Sequence, residues 1–414
     1  MHRIHSRSVL TISLAAVLLL AACSSAAPGT LPPPTPGLRT PTSAGISTTG
    51  IMPCKVLHVP ATPAAALEAS FEGHAHISGP ADAPVTIVVF SDYQCAACAI
   101  LAQSLKQVRQ NHAGDVKIVY LNAPVSGNDK DALAVQAVEA ADLQGKYWEM
   151  HDLLFEKQVM WLAFAPADFE SWLIQQAASL GLDPARFKAD FEGKTVADRL
   201  QEAEQSMAKQ PLKPPVMFVN GTIPYNGLAD YASLDTVIRM DLLATRQYSA
   251  CPHWIIDPFK QYVATLHTSK GDVVIQLYPD KAPLAVNNFV FLAEQGWYDG
   301  VTFHRVIPNI IAQTGDPSGT GMGNPGYLFS TEIPSGLLFN QPGQVAMDNS
   351  GANTNGSQFF INLAPNAQLD GQYTIFGQVL SGMGVLSSLS PRDPKPAVSL
   401  PPGDVITSIT IEQH

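Results

Sequence analysis

A chain of 414 residues with 46% apolar content carries enough hydrophobic material for two ordinary cores, since single domains mostly run to about 100 to 200 residues. Its net charge of -11, with no run of Lys and Arg beyond the extreme N-terminus, argues against a phosphate-backbone partner, so no nucleic acid is expected.

Arg3 and Arg7 precede an apolar run from Val9 to Leu20 and then Leu20-Ala21-Ala22-Cys23, the layout of an export signal over residues 1–22. The run is too short to span a bilayer. A small-residue site ending in Cys resembles a bacterial lipobox. That resemblance implies lipidation of Cys23 and a location on the extracytoplasmic face of a bacterial cell membrane, held by the lipid alone; a plain secretory signal with an incidental Cys, or an uncleaved anchor, are the other readings. Residues 23–73 are expected to form a stalk. Pro, Ser and Thr dominate up to about Thr49, and flexible-coil scaling gives that part a reach of roughly 30 Å.

The run Val85-Thr86-Ile87-Val88-Val89-Phe90 is β-branched and continuously apolar, as a strand buried on both faces would be. Cys95-Ala96-Ala97-Cys98 follows, and residues 96–110 carry apolar side chains at helical spacing. Val116 to Leu121 then completes a βαβ unit. Two thiols separated by two residues at a helix start can close a small ring, and the free amides there stabilise the first thiolate. Cys95 is thus the attacking sulfur and Cys98 the resolving one. Half of a zinc site has the same spacing, but zinc would need two further ligands, and the remaining Cys residues lie at 23, 54 and 251 without a suitably spaced His. No metal and no cofactor are expected.

Helical patterns fill Asp129 to Gln210, strand signals return at Val216-Met217-Phe218-Val219, Asn220-Gly221 signals a tight hairpin, and residues 233–245 read as a closing helix. Pro84 to Cys95, the long helical insertion and Pro214 to Gly221 together resemble the DsbA family of thioredoxin-fold oxidoreductases over residues 74–247. The resemblance implies thiol-disulfide exchange on unfolded or folding exported polypeptides, a redox recycling partner, and a cis-proline at Pro215 facing the Cys pair; an edge-strand proline is the plainer reading of Pro215. Ala96-Ala97 stands where stronger oxidants of the family carry a His, and Val89 where members often bury an acid, which implies a milder oxidant or an isomerase-like poise.

Residues 248–261 have no clear period and read as a linker. Cys54 and Cys251 flank the preceding domain, and a structural disulfide between them would pin the incoming stalk to the outgoing linker; a second redox couple or free thiols are the competing readings.

From 262 to 414 short alternating strands with Gly-rich turns suggest a closed barrel, with one helix from Pro283 to Gln295. Alternation along Phe303-His304-Arg305-Val306-Ile307 puts Phe303, Arg305 and Ile307 on one strand face. Gly300 to Pro308, Gln313-Thr314-Gly315-Asp316, Asn353 to Ile361 and Leu369-Asp370-Gly371 resemble cyclophilin-type peptidyl-prolyl isomerases. The resemblance implies an eight-stranded barrel with Arg305 donating to the prolyl nitrogen, Gln313 and Asn349 holding the substrate backbone, and Met347, Phe360 and Leu369 lining the proline pocket. Ile310 and Tyr373 occupy substrate-binding positions filled in the family by Phe and His, Gln358 belongs to the same motif, Gln368 replaces an aromatic, and Asp348 stands where a small residue is usual. An Arg snorkelling over a barrel surface is the bland account of Arg305.

The expected fold class is multidomain: an α/β thioredoxin-like domain with a helical insertion, then a mainly β, cyclophilin-like eight-stranded barrel. The expected function is an extracytoplasmic folding factor combining both reactions, each a slow step when uncatalysed. The alternative keeps the redox enzyme and makes the barrel a non-catalytic proline-peptide binder.

Overall fold

The computed structural model describes residues 50–57, 75–124, 128–208, 213–221, 230–334, 336–393 and 403–414. The expected export signal, Cys23 and most of the stalk lie outside them. Among the described residues no helix is long and apolar enough to cross a membrane.

The chain begins with β1 (Lys55–Val56), followed by β2 (His76–Ser78), β3 (Val85–Ser91), α1 (Ala96–Asn111) and β4 (Val116–Asn122). All seven residues of β3 are buried, as a central strand covered on both faces requires. β3 and β4 run parallel and in register from Val85 opposite Val116 to Ser91 opposite Asn122, so α1 is the crossover of a βαβ unit. Its buried residues Cys98, Leu101, Leu105 and Val108 recur at helical spacing and face the sheet; each Leu contributes about 1.5 to 3 kcal/mol by leaving water.

Six helices lie between β4 and β5: α2 (Asp131–Asp142), α3 (Tyr147–Glu156), α4 (Gln158–Trp161), α5 (Pro166–Ser179), α6 (Pro184–Phe191) and α7 (Lys194–Ala208). Strand β5 (Val216–Val219) pairs antiparallel with β3, giving a four-stranded sheet in the order β2-β4-β3-β5. Asn220 and Gly221 both take positive φ (46° and 72°), as a tight two-residue turn needs; a returning strand would fall on residues 222–229, which lie outside the described ones. Helix α8 (Tyr231–Ala244) follows, capped at Asp230, whose carboxylate accepts from Ser233 N at 2.9 Å.

The remainder comprises β6 (Tyr262–Thr268), β7 (Gly271–Leu277), α9 (Pro283–Glu294), β8 (Val301–Thr302), β9 (Arg305–Ile307), β10 (Ile311–Thr314), β11 (Tyr327–Leu328), β12 (Gln344–Met347), β13 (Phe359–Asn362), β14 (Ile375–Ser381), α10 (Met383–Ser387) and β15 (Val405–Gln413). Nine of these strands form one antiparallel sheet in the order β8-β15-β6-β7-β14-β12-β13-β10-β9. Its two edge strands are consecutive in the chain, so it curls into a β half-barrel around a core that includes Phe289, Tyr298, Phe359 and Phe376. The single strand expected through Phe303 to Ile307 is broken at Phe303-His304, which is why the sheet counts nine strands. The break also shifts the alternation. Phe303 is buried in the inner core while Arg305 and Ile307 belong to the outer face, so the three do not share a side as the sequence pattern suggested.

The stalk expected to run to residue 73 is already ordered at residue 50. Met52 is fully buried in the half-barrel core, its N–H donates to Pro252 O at 2.8 Å, and β1 pairs with β11. Cys54 and Cys251 are joined by a disulfide with 5.7 Å between their Cα atoms. The bridge therefore fastens residues 50–57 and 251–256 to each other and to the half-barrel, where the Asn287 carboxamide accepts from Ile255 N and donates to His253 O. Replacing both Cys54 and Cys251 by Ser should lower unfolding free energy by about 3 to 5 kcal/mol, given the long loop closed. Urea denaturation of the double variant against the wild type, both with intact Cys95 and Cys98, measures this.

Candidate active sites

At the start of α1, Cys95 is the N-cap residue and its sulfur accepts from Cys98 N at 3.1 Å. Cys95 is half-buried, whereas Cys98 is fully buried, so one sulfur faces solvent and the other the core. The two are disulfide-bonded. The Pro214–Pro215 peptide bond is cis, and Pro214 O lies 3.8 Å from Cys95 Sγ, so the segment before β5 borders the sulfur directly. Gln158 of α4 was not foreseen. Its buried amide donates to Tyr93 O at 2.8 Å and Cys95 O at 2.9 Å, locking the turn that presents the Cys pair. No local pattern could have revealed it, since the contact spans 63 residues of sequence.

Beneath this turn lies a set of buried rings. Tyr93 Oη is 3.0 Å from His151 Nδ1, and burial holds His151 well below the ordinary imidazole range, hence neutral. On the far side, His76, Glu139, Asp142 and Arg199 line a cavity of about 310 Å³. The Arg199 guanidinium bridges Glu139 at 2.9 Å and Asp142 at 2.7 Å, and His76 contacts Glu139 at 2.8 Å, which makes the cluster a self-satisfied ion-pair network.

The second site is assembled by register. Arg305 on β9 stands opposite Gln313 on β10, Gln313 opposite Phe360 on β13, Phe360 opposite Ala346 on β12, and Ala346 opposite Ile375 on β14. Directly opposed residues share a face, so this row crosses the outer surface of the half-barrel. Phe360 packs there with Ile311, Phe339 and Ile375, flanked by Ile307, Leu369 and Tyr373. Phe339 stacks on Phe360 at 5.7 Å and Tyr373 meets it edge-on at 5.1 Å. Two expected positions need correction. Met347 is fully buried in the inner core opposite Phe359, because it follows Ala346 in the strand and so points the other way. Ile310 is 45% exposed in the turn between β9 and β10, whereas its neighbour Ile311 joins the apolar patch.

Beyond the patch the same face turns polar. Gln313 donates to Asp348 at 3.0 Å and to Gln358 at 3.2 Å. Gln358 donates in turn to Gly321 O at 3.0 Å and Gly323 O at 2.9 Å, carbonyls of a loop wound around the buried Asp316. That winding requires Gly323, where a Cβ would sit 2.0 Å from Asp316 Oδ1. Asn349 donates to Gln372 O at 3.2 Å. Arg305 is 40% exposed, with Nε 3.3 Å from Asp393 Oδ1; Asp393 lies 88 residues further along and was not anticipated. Burial pushes the His304 imidazole down to about 4, so the residue beside Arg305 stays neutral.

The sequence model of the cyclophilin type peptidyl-prolyl cis-trans isomerase/CLD family matches residues 263–411, and that of the thioredoxin family matches residues 72–239. Peptidyl-prolyl cis-trans isomerase-like 1 of Aspergillus fumigatus is 51% identical over 125 residues, 30% of this chain and 78% of the relative. Peptidyl-prolyl cis-trans isomerase ppi1 of Schizosaccharomyces pombe is 52% identical over 123 residues, 29% and 79% of the two chains. Mouse peptidylprolyl isomerase domain and WD repeat-containing protein 1 is 44% identical over 153 residues, 36% and 24%. A crystal structure of a Cryptosporidium parvum cyclophilin type isomerase covers 37% of this chain and 98% of its own at 33% identity, with a TM-score of 0.35. The chain belongs to the cyclophilin type peptidyl-prolyl cis-trans isomerase family. It is a peptidyl-prolyl cis-trans isomerase and also carries a thioredoxin-like domain.

These relatives overturn the expected bacterial, lipid-anchored location. They come from fungi and a mammal and are named as isomerase-like proteins, not membrane lipoproteins. The location had rested on residues 3–23 alone, which the similarity does not reach and which lie outside the described residues.

Burial pushes the Asp348 carboxyl up to about 6, against the opposing pull of the Asn349 amide and the Arg305 charge. A folded-state value above the unfolded one means that stability falls as pH rises through about 4 to 6 and stays lowered above that window. Asp348→Asn should therefore gain about 1 to 2 kcal/mol above pH 6 and nothing near pH 4. Urea midpoints for the two proteins across that range provide the check.

Proposed function

We propose that the protein is a folding catalyst with two chemistries, prolyl isomerisation at the Arg305 face and thiol-disulfide exchange of DsbA type at Cys95 and Cys98. Its clients are unfolded or folding polypeptides, with a redox partner that recycles the Cys pair. Residues 74–247 form the redox domain, and residues 262–414 the isomerase domain.

The observation that carries the isomerase assignment is a half-exposed guanidinium at the border between an apolar patch and a polar strip on one sheet face. Rotation about an X-Pro bond is slow because amide resonance must be broken, at about 18 to 20 kcal/mol for an ordinary peptide bond. The patch of Phe360, Ile311 and Leu369 takes the ring. Arg305 donates to the prolyl nitrogen as its lone pair leaves conjugation, an interaction available only in the twisted state. Gln313 and Asn349 hold the flanking backbone.

At the other site the half-buried Cys95, the fully buried Cys98 and the adjacent Pro214 carbonyl support exchange. A client thiolate attacks Cys95 Sγ and expels Cys98 as the buried thiolate. A second client thiolate then attacks the client sulfur of the mixed disulfide and expels the Cys95 thiolate, which the Cys98 amide receives, so the client is oxidised and the pair takes up two electrons.

Arg305→Ala should lower kcat/KM for a Pro-containing peptide by at least about 100-fold while leaving insulin reduction by the Cys pair intact. Turnover at the wild-type rate would remove the isomerase chemistry from this face and leave the half-barrel as a binder. Cys95→Ser should abolish insulin reduction and spare isomerisation, and Cys98→Ser should accumulate a mixed disulfide visible by mass; retention of reductase activity in Cys95→Ser would rule the exchange out.

A further inference from the structure

The isomerase face is graded along the strands as well as across them. Ile307 and Ile311 stand opposite each other at one end, Arg305, Gln313, Phe360 and Ala346 form the middle row, and Asp348 follows Ala346 by two residues, so the alternation of an extended strand keeps it on the same face. Asp348 N donates to Gln358 O at 2.9 Å, which extends the strand pairing by one step and fixes that position. A prolyl ring seated at the apolar end, with its nitrogen at Arg305, sends the preceding residue over the polar end, where Gln358 and Asp348 lie.

That end carries a carboxylate outside any ion pair of the described residues. The Arg305 guanidinium is paired with Asp393 at 3.3 Å, while Asp348 is bonded to the neutral Gln313 amide. Of the other charged groups packed around this end, Asp316 is turned into its own loop and taken up by Ser318, Gly321 and Gly323 amides, and His304 is neutral. Arg392 adds a second cation on the His304 side, and Arg305 is taken up by Asp393, so Asp348 is the carboxylate on this face that no ion pair among the described residues holds. Nothing in the fold of the half-barrel demands it: Asp348 receives Gln313 Nε2, a bond that an Asn could equally accept.

We propose that Asp348 is a specificity-determining residue which makes this isomerase prefer polypeptides with a cationic side chain immediately before the proline and disfavour those with an acidic one. The inference rests on the placement of the site at Arg305. An ammonium or guanidinium at that substrate position meets the Asp348 carboxylate at a half-buried rim, while a Glu meets like charge.

The test uses the full chain and peptides of the form Ala-X-Pro-Phe with X as Lys, Ala or Glu, followed by NMR exchange spectroscopy so that no coupled protease imposes its own preference. The wild type should favour Lys over Glu by about five- to tenfold in kcat/KM. The ratio should shrink in 1 M salt, where the Debye length falls to about 3 Å, and below pH 6, as Asp348 takes up its proton. Asp348→Asn and Asp348→Ala should bring the Lys-to-Glu ratio close to one, whereas Asp393→Asn should leave it standing. An unchanged ratio in Asp348→Asn, or a ratio that follows Asp393 instead, overturns the proposal. The peptide series in the wild type decides even if a variant does not fold, since no preference for Lys there defeats it. Loss of turnover in Arg305→Ala alongside an unmoved ratio defeats this inference alone; unimpaired turnover in Arg305→Ala defeats the placement of the site as well.

Discussion

Register between antiparallel strands is the constraint from which the Arg305 face follows. Arg305, Gln313, Phe360 and Ala346 come from two pairs of consecutive strands, β9 with β10 and β12 with β13, and they converge because each neighbour is directly opposed across a ladder. A slip of one residue on any strand would exchange the outer and inner sets, sending Phe360 into the core and Met347 out. The register is held by the inner set: Phe359, Met347, Val345 and Ile361 are completely buried, so slippage would expose them all. The chemistry on the outside is fixed by packing on the inside.

The Cys95 end of the thioredoxin-like domain depends on a different element of backbone physics. An N-cap residue sits where amide donors lack intrahelical acceptors, and here the capping atom is the Cys95 sulfur itself. The same helix that shelters Cys98 in the core thereby offers hydrogen bonding to its partner at the surface. Gln158, by gripping Tyr93 O and Cys95 O, ties α4 to the turn that carries the pair.

What the sequence made legible was local. A seven-residue buried strand, a Cys pair at a strand-to-helix junction and helix spacing from 96 onwards are properties of contiguous residues, and the structure places them within a residue or two of expectation. The half-barrel's motifs named Arg305, Gln313 and Phe360, which do share a face. Reading failed where position depends on distant partners. Phe303 parts from Arg305 because the strand breaks at the seam between the first and last strands of the sheet. The pocket position given to Met347 belongs to the neighbouring side of β12, and strand parity relative to Phe360 could have exposed this. Residues 50–57 looked like stalk because their apolar residues show no period, and the burial of Met52 is supplied by a core about 200 positions further on. Gln158 and Asp393 carry no pattern at all and are known only by what they touch.

That early segment has a topological meaning. The thioredoxin-like domain leaves and rejoins the half-barrel at points tied together by Cys54 and Cys251, whose Cα atoms are 5.7 Å apart. It is therefore an insert rather than a preceding bead. As the chain emerges during synthesis, Met52 and its short strand precede the partners they pack on, Pro252, Asn287 and β11, by about 200 residues or more. The thioredoxin-like domain can close on itself in the meantime, while the half-barrel must wait to reclaim its own leading edge.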